Sequence, residues 1–289
     1  MMAGKTSMVS VEEAKEIILS HTPSLSSEMV PLFDAPGRVL SRDIISGVNI
    51  PAVDNSAMDG YAIVASDTEG ASRERPVRLA VCGEIKAGHA VTLPDVAPGR
   101  AVRIMTGAPV PHGADSVAQF EDTAEGDGHV LIFRGFPPGE NIRRAGEDLR
   151  KGDIALSKGV RLGSAEMGLL ASLNSTFVPV SRRPEVAILS TGDEIVDLGA
   201  ELKNGQIRNS NAYTLYSEIV KYGGIPRYMG IAPDNREATT AILEEAMESD
   251  VVVTTGGVSM GRYDFVSDAL AGLGVGIMID TIRMKPGKP

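Results

Sequence analysis

From Val186 to Ile282 the chain alternates short apolar runs with amphipathic segments, and this alternation limits the possible folds more than any other feature. "VAILS" (186–190) reads as a strand. "SNAYTLYSEIVKYGG" follows as a helix capped by Asn209 or Ser210 and ended by Gly223 and Gly224. Strand "RYMGIA", helix "REATTAILEEAMES" after Asn235, strand "DVVVTT", short helix "DFVSDALAGL" and strand "VGIMIDTI" complete the series. A β-α-β-α-β-α-β order implies a parallel sheet flanked by helices. Ligands of open parallel sheets bind in the crevice beyond the carboxyl ends of the strands, and the polar clusters lie there. They are Ser190, Thr191, Gly192, Asp193 and Glu194 after the first strand, and Asp234 after the second. Gly256, Gly257, Ser259, Gly261 and Asp264 follow the third, and Lys285 and Lys288 the fourth.

Each cluster has a ligand reading and a plainer one. The glycines and hydroxyls of "TTGGVSMG" let backbone N–H groups approach a phosphate, and the helix after them favours an anion at its N-terminus. The stretch has neither the Walker-A nor the G-x-G-x-x-G spacing, so a plain strand-to-helix turn is an equal alternative. Asp193, Glu194, Asp234 and Asp264 suit a hard divalent cation such as Mg²⁺, which takes one or two carboxylates with waters and substrate phosphates. Any one of them alone reads better as a helix cap, and recurrence on successive strand ends favours the ligand reading. Lys285 and Lys288, spaced by Pro286 and Gly287, hold two ammonium groups near each other, as an oxyanion needs; the alternative is a solvated basic tail.

The first half has a different texture. Ser10 and Glu13 form a capping-box pattern ahead of Val11, Ala14, Ile17 and Ile18 at helical spacing, so residues 10–21 read as a helix ended by Pro23. From 51 to 149, Gly and Pro recur between short apolar runs such as "VRLAVCGEI" and "HVLIF", the pattern of a β-rich module. Cys82 within such a run reads as a buried small side chain, and His112 between Pro111 and Gly113 as a turn residue. Arg143 and Arg144 form a local cationic pair, Thr106 is a hydroxyl in a tight turn, and Ser164 reads as the N-cap of "AEMGLLASLN". At 289 residues and 43% hydrophobic content the chain can bury two or more cores, since single cores rarely pass ~250 residues. A formal charge of −10 without basic runs repels phosphate backbones, and aromatics at 4% with no Trp leave few platforms for bases, so nucleic acid is not an expected partner. One Cys excludes an internal disulfide, and four scattered His make no spaced zinc motif. No stretch approaches the ~18 apolar residues of a membrane span, so the expectation is a soluble cytoplasmic protein without a membrane partner.

"PAVDNSAMDGYA" (51–62), "RIMTGAPVP", "NIRRAGED", "ILSTGDEIV", "TTGGVSMGRYDFV" and "MKPGKP" occur in this order at these spacings. Together they closely resemble the molybdopterin molybdenumtransferase family, the MoeA proteins and the gephyrin E domain, from about residue 10 to 289. The resemblance implies a multidomain α/β chain: a three-layer parallel-sheet molybdopterin-binding domain, an inserted β-rich domain and an elongated linking domain. The divisions it suggests are 10–50 for the N-terminal helix and first part of the linking domain, and 51–149 for the β-rich insertion. The second part of the linking domain then spans 150–183 and the molybdopterin-binding domain 184–289. Also implied are Mg²⁺-assisted insertion of molybdate into adenylylated molybdopterin with release of AMP, and a homodimer supplied by the molybdopterin-adenylylating protein of the same pathway. In the family the site lies between the α/β domain of one subunit and the β-rich domain of the other.

By motif position the catalytic residues implied are Asp59, Thr106, Asp148, Glu194, Asp234 and Asp264. Glu194, Asp234 and Asp264 are the implied metal ligands, and Ser190, Thr191, Gly192, Gly256, Gly257, Ser259, Lys285 and Lys288 the substrate-binding set. Within the opening loop Asp59, beside the permissive Gly60, is the carboxylate expected to face the ligand, and Asp54 the one expected to cap the turn through its own backbone. There are two departures from the family. A lysine that some members carry aligns with Thr281, so its contact is missing or passes to Arg283. The family also continues past the position of Pro289 with another loop and a C-terminal β-domain. A non-catalytic pterin-binding scaffold and a tungsten-specific paralogue are the rival readings; tungstate and molybdate match in charge and nearly in size.

Overall fold

The computed structural model describes residues 8–88, 95–256 and 265–285. They divide between two compact units. One comprises residues 42–160 and 168–175, and the other residues up to 41, 161–167 and from 176 onward.

The first unit is built on a six-stranded sheet. Its spatial order is Ser116–Gln119, Gly60–Ile63, Arg100–Ile104, Val77–Ile85, His129–Ile132 and Thr123–Gly126. Every neighbouring pair is antiparallel except Val77–Ile85 with Arg100–Ile104, which run parallel. Successive side chains of a strand point to opposite faces, and Gly60–Ile63 is buried on both. Tyr61 and Ile63 join Leu79, Val130, Ile132 and Phe136 in one core cluster, while Ala62 joins Val102, Ile104 and Val117 in another. Gly60 permits the closest strand approach: a Cβ there would lie 2.0 Å from the Ala118 carbonyl oxygen. Cys82 departs from the sequence expectation. It is exposed, because the register of Val77–Ile85 shifts between Val81 and Glu84 and directs Leu79 and Ile85, not Cys82, into the cores.

In the second unit the N-terminal helix, Val11–His21, carries the expected capping box: Ser10 Oγ accepts from Glu13 N, and Glu13 accepts from Ser10 N. Ser27–Pro31 pairs antiparallel with Phe177–Ser181. Three parallel strands follow in the spatial order Ile225–Ala232, Glu185–Thr191, Val251–Thr255, so Glu185–Thr191 is central and six of its seven residues are buried. Helices Ser210–Lys221, Arg236–Ala246 and Phe265–Gly272 alternate with them, the first two capped by Asn209 and Asn235. Leu189 and Ala232 of the sheet pack with Leu243, Val266 and Ala269 of the last two helices.

Two details differ from the sequence reading. Ser164 is the first residue of its helix, Ser164–Ser172, instead of its cap; Glu166 three positions after Gly163 accepts from the Gly163 N–H, half of a capping box. Among the described residues no fourth strand forms over 275–282: Val275, Ile277 and Met278 are exposed, and the one ladder contact there is a bridge from Ile282 to Val9. Apolar β-branched composition does not make a strand without a partner edge, and Gly274 and Gly276 weaken this run further. No helix among the described residues is long and apolar enough to cross a membrane.

Candidate functional site

The carboxyl ends of the three parallel strands meet through backbone and short side chains. Thr191 Oγ1 donates to the Thr255 carbonyl at 3.3 Å, and a Cβ on Gly256 (φ +83°) would lie 2.9 Å from the Thr191 carbonyl oxygen. Gly192, at φ +131°, occupies backbone space that disfavours any side chain, and a Cβ there would sit 2.5 Å from Glu194 Oε2. The Glu194 carboxylate therefore lies over Gly192. Asp193 Oδ1 accepts from Asp234 N at 3.1 Å, which ties the first strand end to the second. The Glu194 and Asp234 carboxylates make no hydrogen bond or ion pair with any described residue. Among the described residues no three carboxylate, His or Cys side chains gather as a cation site. Gly257, Ser259, Asp264 and Lys288 lie outside the described residues, and Lys285 is the last residue within them.

Ser190 is completely buried, and its hydroxyl donates to Asn209 Oδ1 at 3.0 Å while accepting from Thr255 Oγ1 at 3.2 Å. Asn209 Nδ2 donates to the Tyr228 hydroxyl at 2.8 Å, and Tyr228 donates to Asp197 at 2.9 Å. Asp197 also accepts from Tyr213 and from the Leu198 N–H, each at 2.9 Å. The Leu198 N–H, followed by the two phenols, holds the Asp197 carboxyl below its ordinary range. Burial, seconded by Asp197, pushes Tyr228 up to about 12. This chain of groups props the strand that ends at Thr191. Sequence reasoning named Asn209 only as a cap and missed Asp197, Tyr213 and Tyr228 altogether. Their spacings of 16, 31 and 19 residues follow no helical or strand period, so the sequence carried no signal for them.

The opening loop of the β-rich unit is built by other means. Asn55–Ser56 pairs with Ile142–Arg143, Gly107 N donates to the Ser56 carbonyl at 2.8 Å, and Gly146 N donates to that of Pro51 at 2.9 Å. Three segments distant in sequence thus share one hydrogen-bonded layer. Asp59 Oδ1 accepts from both Thr106 N (2.7 Å) and Thr106 Oγ1 (2.8 Å), and these two donors, the amide first, keep its carboxyl below the ordinary range. Asp148 pairs with Arg143 at 2.6 Å. Asp54 does not cap its own turn. It reaches across to Ala145 N at 2.8 Å and Arg144 at 2.6 Å, so the two adjacent arginines serve two different carboxylates. Of the sequence-derived residues, this unit brings Asp59 to Thr106, and the other brings Thr191, Gly192, Glu194, Asp234 and Gly256 to one sheet edge.

Residues 9–174 match the family described as MoeA N-terminal region (domain I and II), and residues 187–289 match a probable molybdopterin binding domain. A molybdopterin molybdenumtransferase of Bacillus subtilis is 39% identical over 291 residues, covering 99% of this chain and 67% of its own length. The chain belongs to the MoeA family. A Nostoc molybdopterin molybdenumtransferase is 40% identical and covers 98% of the chain, and a MoeA molybdopterin biosynthesis protein from Pyrococcus horikoshii superposes with a TM-score of 0.82 at 38% identity. The latter covers 98% of this chain and 71% of its own. Membership of the MoeA family sets the chain in molybdenum cofactor biosynthesis, and the chain spans about two thirds of the length of the curated relatives it matches. The strand-end edge and the Asp59–Thr106 loop fall within the residues matched by the two family descriptions.

Proposed function

We propose that the chain inserts molybdate into adenylylated molybdopterin with release of AMP, as a Mg²⁺-dependent molybdopterin molybdenumtransferase. The observation that carries this reading is the convergence of Thr191–Glu194, Asp234 and Gly256 at the carboxyl edge of a parallel sheet, where ligands of such sheets bind. Gly192 lets the Glu194 carboxylate, and Gly256 the Thr191 carbonyl, pack against the backbone of this edge, and Gly257 and Ser259 continue the same motif in sequence. Lys285 and Lys288 supply the positive charge that an oxyanion requires.

The donor set fits Mg²⁺. Glu194 and Asp234 offer hard carboxylate oxygens that no described residue occupies, Asp264 adds a third in sequence, and Mg²⁺ needs only one or two beside waters and phosphates. Held by these carboxylates, the ion would supply Lewis-acid polarisation of the adenylate P–O bond and would offset its charge. Glu194 and Asp234 hold the negative charge that positions it, and the Ser190–Asn209–Tyr228–Asp197 chain keeps their strand end in place. The homodimer is part of this proposal: in it Asp59, Thr106 and Asp148 of one subunit serve the strand-end site of the other, Asp59 staying ionised through its two bonds from Thr106. The three-layer arrangement and the linking domain, with boundaries at 50, 149 and 183, belong to the same reading. So do supply of substrate by the molybdopterin-adenylylating protein and a location in the cytoplasm, whose reducing conditions suit the free exposed Cys82. The Bacillus subtilis and Nostoc relatives are molybdopterin molybdenumtransferases, which does not favour a non-catalytic scaffold.

The test is AMP release from adenylylated molybdopterin and molybdate, with the protein at the length of its relatives. Glu194→Ala and Asp59→Ala are each expected to lower turnover by about two orders of magnitude, the scale of removing one group that stabilises developing charge. Retained turnover in both variants sinks the assignment. Competitive insertion of tungstate and molybdate reads out the metal preference.

A further inference from the structure

The central strand Glu185–Thr191 has two functional ends. Its carboxyl end forms the edge described above; its amino end, six residues and therefore about 20 Å away at ~3.3 Å per residue, borders a second cleft of about 410 Å³. This cleft lies wholly within the parallel-sheet unit. Four arginines, Arg38, Arg161, Arg182 and Arg183, are among its lining residues, and no Asp or Glu is.

The four arginines are not equivalent. Arg38 is paired with Glu28 and donates to the Ser181 carbonyl at 2.8 Å, and Arg182 forms a two-pronged pair with Asp250. These two are structural, with charges already offset from outside the cleft. Among the described residues the Arg161 side chain bonds only to the Gly37 carbonyl, through Nε at 3.3 Å, and the Arg183 side chain has no hydrogen bond or ion pair. Two arginines without an ion pair among the described residues thus belong to one cleft, in a chain whose formal charge is −10. Scattered surface arginines in solvent need no explanation. Two of them beside two fixed ones, in a carboxylate-free cleft, concentrate positive potential. The planar fork of each guanidinium matches phosphate oxygens in a bidentate manner.

The remaining walls describe the rest of the ligand. The cleft has the volume of a small-molecule site and exceeds the needs of a bare oxyanion. At its rim the Tyr222 ring is 76% exposed, and the Lys221 ammonium stands 5.2 Å from the ring centroid. An aromatic face in that position suits a flat ring. The geometry points to a second ligand site, for a phosphomonoester that carries a planar heterocycle, with its phosphate on Arg161 and Arg183 and its ring against Tyr222. This site is independent of the reaction proposed for the strand ends.

GMP, a nucleoside monophosphate foreign to that reaction, is the probe. Calorimetric titration into the chain is expected to show saturable one-to-one binding. Arg161→Ala/Arg183→Ala should weaken it by tenfold or more, as expected for lost charge-assisted bonds, whereas Arg161→Lys/Arg183→Lys should recover part of it. Tyr222→Ala should weaken it about threefold, the scale of one aromatic contact. Lys285→Ala/Lys288→Ala, which changes the strand-end site, should leave it unaltered, as should Arg227→Ala outside the cleft. Thermal unfolding followed by circular dichroism checks that each variant is folded. The proposal is overturned if GMP does not bind saturably, or if binding survives loss of both arginines and disappears with the two lysines. In the latter case the nucleotide sits at the strand ends, and the molybdenumtransferase reading still stands.

Discussion

The two units hold their candidate carboxylates in opposite ways. In the β-rich unit Asp54, Asp59 and Asp148 each have a donor assigned: Arg144 and Ala145, Thr106, and Arg143 respectively. At the edge of the parallel sheet the backbone is tied, through Thr191, Gly256 and the Asp193–Asp234 contact, while Glu194 and Asp234 keep their carboxylates unpaired among the described residues. One region fixes side chains by cross-loop hydrogen bonds. The other fixes the strand ends and leaves the side chains open. The contrast teaches where tolerance to change should differ: in the first region stability and site geometry fall together, and in the second the site can be altered while the fold persists.

The glycines break or sustain this contrast most directly. Gly60→Ala drives a Cβ to 2.0 Å from the Ala118 carbonyl, a backbone atom that cannot yield without parting the strands. A loss of about 3 kcal/mol is expected in urea unfolding, at the upper end of overpacking costs. Gly192→Ala meets only the end of the flexible Glu194 side chain, so the cost is the positive φ, about 1–2 kcal/mol. Its activity loss should nevertheless exceed its stability loss, because the displaced group is Glu194. Equal stability losses in the two variants would erase the distinction.

Asp54→Ala is smaller again, at most about 1 kcal/mol, because its pair with Arg144 is largely in solvent. Faster amide exchange at Ala145 is the accompanying readout. Titrations sharpen the comparison without unfolding either region. Asp59 should titrate below an ordinary Asp in carboxyl-carbon NMR, so its contribution to stability is present above the ordinary carboxyl range and lost as pH falls through the lowered value. Thr106→Val should raise that pKa only in part, since the larger effect comes from the Thr106 amide, which remains. Tyr228 should ionise at about 12 in an ultraviolet titration, and Asp197→Asn should lower that value while burial still holds it above an ordinary phenol. The folded state favours the protonated phenol, so this contribution is complete below the ordinary value of 10.0 and fades between there and about 12.

What could be read from the sequence was governed by distance along the chain. The Ser10–Glu13 box and the Asn209 and Asn235 caps join groups three residues apart, and they formed as their spacing implies. The three strands of the parallel sheet through Glu185–Thr191 and the three helices between residues 185 and 272 followed from periodicity, which records only which face is buried. The fourth strand did not form because a strand also needs an edge to pair with, which an apolar run cannot specify for itself. Cys82 misled for a related reason: a register shift set its face, and register belongs to the pair of strands.

The sequence by itself determined the order of the sheet strands and helices from 185 to 272, the helix starts at Ser10, Asn209 and Asn235, and the six motifs whose order places the chain in the MoeA family. Only the tertiary structure decided that Asp54 meets Arg144 across 90 residues, that Asp59 is locked by Thr106, and that Asp197 supports Ser190 through Tyr228 and Asn209. The same holds for the four arginines gathered at the amino end of the central strand. Local order needs only the preferences of neighbouring residues. Charge pairs and shared clefts need the chain brought back on itself, and no local pattern records which distant groups that return will join.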